Sequence, residues 1–178
     1  MSRYNPENLY SVNSHAFEAI ELPKFVELRN KNWVYYGKDN LYPQKMVELY
    51  QGSAIHHTAV DAKTAAIKGE GFEVYGDTEI NRNGESLDAL FAKVALDYVL
   101  FGGFALNVVW NRAGDRVAEM YHLPFANVRS GKQDENDRVN EFYYSSDWSN
   151  TRKNTQTTYK AFDIHDNSGE NGSQIYYY

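Results

Sequence analysis

The spacing of apolar residues changes twice along this chain, and the changes mark its elements. Residues 1–15 hold no apolar run and read as a flexible N-terminal arm, leaving 16–178 as a single domain. Phe17 to Leu28 alternates loosely around Pro23 and suits a short extended piece. Trp33-Val-Tyr-Tyr36 favours a strand and stops at Gly37. Lys38 to Pro43 turns into a helix over 43–51, with Pro43 in its first turn, where a missing N–H costs nothing. Ser53 caps a second helix over 53–68. Its apolar positions, Ile55, Ala59, Ala62, Ala66 and Ile67, are small and predict burial against a neighbour. Gly71 to Tyr75 reads as a strand. A third helix, 86–101, is capped by Ser86 and carries Leu87, Leu90, Phe91, Val94, Tyr98 and Phe101 on one face. Burial is expected for Leu90, Phe91, Val94 and Tyr98.

Past Gly102-Gly103 the period drops from 3.6 to 2. Phe104, Leu106, Val108 and Trp110 alternate with Ala105, Asn107 and Val109, Asn111 to Asp115 turns the chain, and Val117 to Leu123 returns. This predicts a β-hairpin near 104–123. Phe125 to Arg129, Glu141 to Ser145 and Thr158 to Phe162 predict further strands. Gln174-Ile-Tyr-Tyr-Tyr178 starts a strand where the chain stops, the pattern of a truncated chain; a terminal strand docked on the sheet is the alternative. The expected fold is α+β, with about three helices packed on an antiparallel sheet.

Composition narrows the function classes. The chain has 178 residues, enough for one ordinary domain. It has no Cys, which excludes disulfides, thiol catalysis and Cys-ligated metals. Its formal net charge of −6 disfavours nucleic-acid binding by bulk electrostatics. No apolar run approaches the roughly 20 residues of a membrane helix. Met1 to His15 lacks the apolar stretch of a signal peptide. Aromatic residues make up 15% of the chain, which suits sheets and interfaces.

The motifs of chemistry fail one by one. His56 and His57 are adjacent on a helix, so their side chains diverge by about 100° and do not share a metal. His122, at a strand end before Pro124, has no Ser, Asp or Glu neighbour to mark it as a base, though it would be the first residue to inspect in an enzyme; His15 and His165 read as solvated or locally bonded. Glu79-x-Asn81-x-Asn83-Gly84 begins like a calcium loop, but the position of its bidentate acid is Leu90. Gly69-x-Gly71 and Gly131-Lys132 lack the remaining residues of phosphate loops. Asp61 and Asp97 read as ordinary polar-face residues. The expectation is a chain with no catalytic, cofactor or metal residues, and not an enzyme.

Three stretches carry a resemblance, the first of them in three pieces. Trp33-Val-Tyr-Tyr-Gly-Lys-Asp-Asn-Leu-Tyr-Pro-Gln44 is followed by Met46 to His57 and Ile67-Lys-Gly-Glu-Gly-Phe72. Asp97-Tyr-Val-Leu-Phe-Gly-Gly-Phe-Ala-Leu-Asn-Val-Val-Trp-Asn111 and Tyr121-His-Leu-Pro-Phe-Ala-Asn-Val-Arg-Ser-Gly131 complete the set. Together they resemble the N-terminal part of portal proteins of tailed bacteriophages, especially phages of Bacteroidetes-type hosts. The resemblance implies a structural virion protein assembled in the host cytoplasm: a ring, commonly a dodecamer, at one capsid vertex. DNA is packaged and ejected through such a ring without sequence-specific binding. Capsid, terminase and head–tail adaptor proteins are the implied partners of the full-length protein, and this chain would be a truncated wing segment. Trp33, Tyr35, Tyr36 and Trp148 are the expected subunit contacts. Two rivals stay open: the N-terminal part of an enzyme whose catalytic residues lie beyond Tyr178, and a stand-alone protein-interaction domain.

Overall fold

A computed structural model describes residues 24–150, 156–163 and 172–178. The N-terminal arm and the residues up to Pro23 therefore lie outside the described residues. The fold is α+β. Strands β1 (Phe25–Glu27) and β2 (Val34–Tyr36) form an antiparallel pair. Helices α1 (Tyr42–Gly52), α2 (Ala54–Lys68) and α3 (Leu87–Phe101) follow. The rest builds one sheet from β3 (Ala105–Trp110), β4 (Val117–Leu123), β5 (Val128–Ser130), β6 (Glu141–Tyr144), β7 (Thr157–Ala161) and β8 (Ser173–Tyr177). Its order is β4-β3-β8-β7-β6-β5.

The helix boundaries follow their caps. The Ser53 hydroxyl accepts from His56 N at 3.3 Å and Ser86 does the same from Ala89 N at 3.2 Å. Gly102 closes α3 at φ 76°, a left-handed conformation that costs glycine nothing. Gly103 answers a different need: a Cβ there would collide with the Tyr178 carbonyl. That close approach lets Phe104 and Tyr178 exchange backbone hydrogen bonds at 3.2 and 3.1 Å.

The sheet departs from expectation in two ways. It is mixed, because β7 and β8 run parallel. The last strand is also not an unpartnered edge: β8 lies between β3 and β7 and bonds to both. Its Ile175 is fully buried and joins Ala105, Val128 and Phe142 in the main core. Interior strands are shielded on both edges, so a central position suits the fully buried Ile175 and Gln174.

Residues 71–75 form no strand: 71–72 are irregular and 73–77 are turn. The Asp88 carboxylate, in the first turn of α3, accepts from Phe72 N at 2.9 Å and holds the loop against the helix. Tertiary bonding overrides the β preference of Phe72, Val74 and Tyr75. Phe125 to Asn127 is likewise a short 3₁₀ turn, and only Val128 to Ser130 is strand.

The helices also correct the expected core. Leu90 is buried, but Phe91 and Val94 are only partly so and Tyr98 is 43% exposed. Inward positions on α3 are instead Leu90, Ala95 and Asp97. A Phe91→Ala change therefore removes a half-buried ring packed on Phe72, with ring centroids 5.1 Å apart. Its expected cost is about 1–3 kcal/mol, below the full-burial range for Phe, read as a shift in the urea midpoint.

On α2 the reversal is complete. Its inward stripe is Ser53, His56, Val60 and Thr64, while Ala59, Ala62 and Ala66 face solvent and Ile55 is 85% exposed. The inward stripe is polar enough to leave the His56 Nε2 and Thr64 Oγ1 atoms buried without a hydrogen-bond partner. Among the described residues, then, nothing covers the alanine face.

Candidate assembly surface and buried polar pins

Three polar arrangements tie together segments far apart in sequence. The largest centres on Arg129 of β5, which is 1% exposed. Lys38-Asp39-Asn40 turns before α1, and Asn40 adopts φ 62°, tolerated by asparagine better than by most residues. That turn presents both oxygens of Asn40 to the guanidinium. Arg129 Nε donates to Asn40 Oδ1 at 2.7 Å, and Nη2 donates to Asn40 O at 2.7 Å and Gln44 Oε1 at 3.1 Å. Nη1 donates to Ala126 O at 2.9 Å and Val128 O at 2.8 Å. All five N–H groups of the fork are thereby used, each on a neutral oxygen. The Trp148 ring covers the guanidinium at 4.9 Å. Burial without a counter-charge lowers the Arg129 pKa to about 10.

The second arrangement is one the sequence did not announce. Asp97 on α3 is buried, and its Oδ2 lies 2.7 Å from His122 Nε2 on β4. The same oxygen accepts from Phe125 N at 3.0 Å. One carboxylate oxygen thus joins α3, the end of β4 and the turn beyond it. We read the pair as a structural pin. Replacing His122 by Ala should leave a buried carboxylate short of a partner and cost about 1–3 kcal/mol by denaturant titration.

The third is the Glu79–Glu85 loop. Asn81 Oδ1 accepts from Asn83 N at 3.0 Å, and Nδ2 donates to Glu85 Oε2 at 2.8 Å and Met120 O at 2.9 Å. The asparagine that fitted a calcium loop by spacing serves to fasten its own turn to β4. On α2, His57 stacks on Tyr50 at 4.3 Å and pairs with Asp61 at 3.1 Å. Among the described residues, no group of three or more acidic or histidine side chains is gathered as a metal site would require.

Of the four expected contact residues, the structure turns two inward. Trp33 and Trp148 are 8% and 3% exposed and pack on each other and on Tyr143, with centroids 5.5 and 5.7 Å from Trp33. They form a second core beside Arg129, so their surface is spent within the chain. Tyr35 and Tyr36 are half-buried. The apolar surface that does face solvent lies elsewhere: Leu49 on α1, Ile55 and Ile67 on α2, and Phe72, Val74 and Tyr75 in the following turns. Val74 and Tyr75 are 76% and 68% exposed. Sequence reading missed this surface because it assigned the α2 face to the core and 71–75 to a strand.

No protein-family model matches the sequence, and no curated protein does. Among solved structures, the chain is similar to one in the neck of an empty GTA particle computed with C6 symmetry, at 14% identity and a TM-score of 0.49. The match covers 71% of this chain and 39% of that one. A likeness at that level assigns no function.

Proposed function

We propose that this chain is part of a structural subunit of a tailed-phage portal, residues 16–178 contributing to the wing of a ring at the capsid vertex, with no catalytic role. The observation that carries assembly is the inverted helix α2. It holds buried unpartnered polar atoms on its inner side and an uncovered apolar face on its outer side. With Leu49, Phe72, Val74 and Tyr75, that face gives an apolar surface of the kind that a neighbouring subunit covers. A closed ring needs two different patches per subunit, because its contacts run head to tail. Tyr35 and Tyr36 are candidates for the second.

The portal reading draws its specificity from the resemblance, and the fold supports treating the resembling stretches as one unit. Asn40 and Gln44 of the first stretch reach Arg129 and Ala126 of the last, and Asp97 of the middle stretch reaches His122 and Phe125. The residues that carry the likeness are those fastened to one another. DNA would pass such a ring without sequence-specific contact, and the net charge of −6 suits a surface that does not grip it.

Light-scattering mass measurement of the full-length product tests the assignment. A closed multimer is expected, with Ile55→Asp combined with Val74→Asp shifting it to monomer while circular dichroism stays unchanged. A full-length product that remains a clean monomer at high concentration would refute the ring.

A further inference from the structure

An acidic turn and a basic pocket lie on different elements of this chain, and each has what the other lacks. The turn is Glu73-Val-Tyr-Gly-Asp77. Asp88 fixes it against α3. The Asp88 carboxylate accepts from Phe72 N at 2.9 Å, and its backbone N donates to Gly76 O at 3.0 Å. Gly71 and Gly76 lie so close to that carboxylate that a Cβ on either would collide with it. Held in this way, the turn leaves Val74 and Tyr75 exposed, with exposed Glu73 and Asp77 on either side of them. A turn already fixed loses little conformational freedom when it docks.

The pocket lies at the end of the β3–β4 hairpin. It holds about 510 Å³, with Arg82 and Arg112 among its walls and Val109, Trp110 and Ala113 as its apolar lining. Two arginines and no carboxylate line it, although the chain as a whole carries a net charge of −6. Two acids of the same hairpin are committed to local partners. Glu119 accepts from Arg82 Nε at 2.6 Å, and Asp115 accepts from Asn111 Nδ2 at 2.6 Å. The hairpin turn is fixed as well: Asn111 N donates to Arg116 O at 2.9 Å, and Gly114 N donates to Asn111 O at 3.0 Å.

We propose that this pocket receives the 73–77 turn of a second copy of the chain, with Val74 and Tyr75 entering beside Arg82 and Arg112. Charge selects that occupant. Two chains of the same net sign repel, and a contact between them needs a place where acid meets base; Glu73 and Asp77 supply the acid and the pocket supplies the base. Chemistry of the ring selects it too, because a guanidinium packs on the face of a tyrosine. Topology is the third argument. A head-to-tail contact joins two unlike patches, and the turn and the hairpin end are unlike in shape and in charge. Tyr35 and Tyr36 are half-buried, so the hairpin end is the fuller second patch. This inference rests on the reading of the α2 side and its following turns as an assembly surface, and it names what that surface meets.

The chain has no native Cys, so single thiols report the contact. Thr78→Cys, beside the turn, and Ala113→Cys, on the pocket wall, are made in separate copies of the full-length product. Mixed in equal amounts and treated with a short bis-maleimide, the two should link to each other at least tenfold faster than either links to itself. Adding Arg112→Glu to the Ala113→Cys protein should slow the mixed link at least tenfold with circular dichroism unchanged. Adding Glu73→Lys to the Thr78→Cys protein should then restore most of that rate, which a general loss of structure would not allow. Light scattering on the same samples separates the two ways of failing. A multimer whose mixed link is no faster than the self links overturns this inference and leaves the ring standing, and so does a multimer indifferent to Arg112→Glu. A clean monomer overturns both.

Discussion

Replacing Arg129 by Met should cost more than about 4 kcal/mol, a large part of the roughly 5–15 kcal/mol by which an ordinary domain is stable. Methionine fills much of the space and removes a buried charge, so on desolvation alone the change ought to help. The acceptors decide otherwise. Gln44 Oε1, Asn40 O and Val128 O all receive this guanidinium, and Asn40 Oδ1 keeps only the bond from Tyr36 N at 3.0 Å. Each buried acceptor left without its donor costs about 1–3 kcal/mol, and several are stranded together. The site also already contains an orphan: Asn40 Nδ2 is buried without a partner. Arg129→Lys keeps the charge but offers three donors from one point, so it should recover less than half of the loss. Urea titrations of the two variants would check both statements. A Met variant within about 1 kcal/mol of the parent would show that the network is decorative.

That network also shows where sequence reading stops. Helix ends were legible because Ser53, Ser86 and Gly102 act on backbone atoms within a few residues of themselves. The β3–β4 hairpin was legible because alternation and a turn are both local. Arg129 offered no such sign. Arginine within a short strand ordinarily points to solvent, and only the partners at Asn40 and Gln44, more than eighty residues earlier, allow it inside. A faint signal existed in Asn40, since asparagine in a Lys-Asp-Asn turn suits the left-handed backbone it adopts. Asp97 is similar. On a helical wheel it is a polar-face residue, and only the fold brings His122 to it.

The misread core has a common cause too. Periodicity tells which side of a helix is apolar but not whether the chain covers that side itself. For α2 the apolar side faces out, and its polar stripe of His56 and Thr64 is packed in. The same limit hid the position of β8, whose partners are fixed by pairing at long range with β3 and β7.

The stability of this chain should fall steeply between about pH 10 and pH 12. Burial, together with the Glu141 carboxylate that accepts from its hydroxyl at 2.7 Å, pushes the Tyr143 pKa up to about 12. Burial raises Tyr177 further still, with Tyr36 nearby adding to the rise and Arg129 opposing it. Tyr36 is raised as well, by burial first and by Tyr42 second. Each is an acid that the fold keeps neutral above the ordinary phenol value of about 10. Stability from these groups is therefore complete below about pH 10, and it is lost as the pH climbs through their folded values. Arg129 works in the other direction. Its folded value of about 10 lies below that of the free side chain, so above pH 10 the unfolded chain holds that proton more tightly and this one group gains stability as the pH rises. Three phenols act against one guanidinium, and each pH unit separating a folded from an unfolded titration is worth about 1.4 kcal/mol. The net is a loss of a few kcal/mol, visible as a falling urea midpoint, with phenolate absorbance that lags at first and then rises together with unfolding. Tyr143→Phe removes one of the three phenols, so its midpoint should fall less steeply over the same range. Phenolate absorbance that completes near pH 10 with the fold intact would show that these rings are open to solvent and would refute the burial argument.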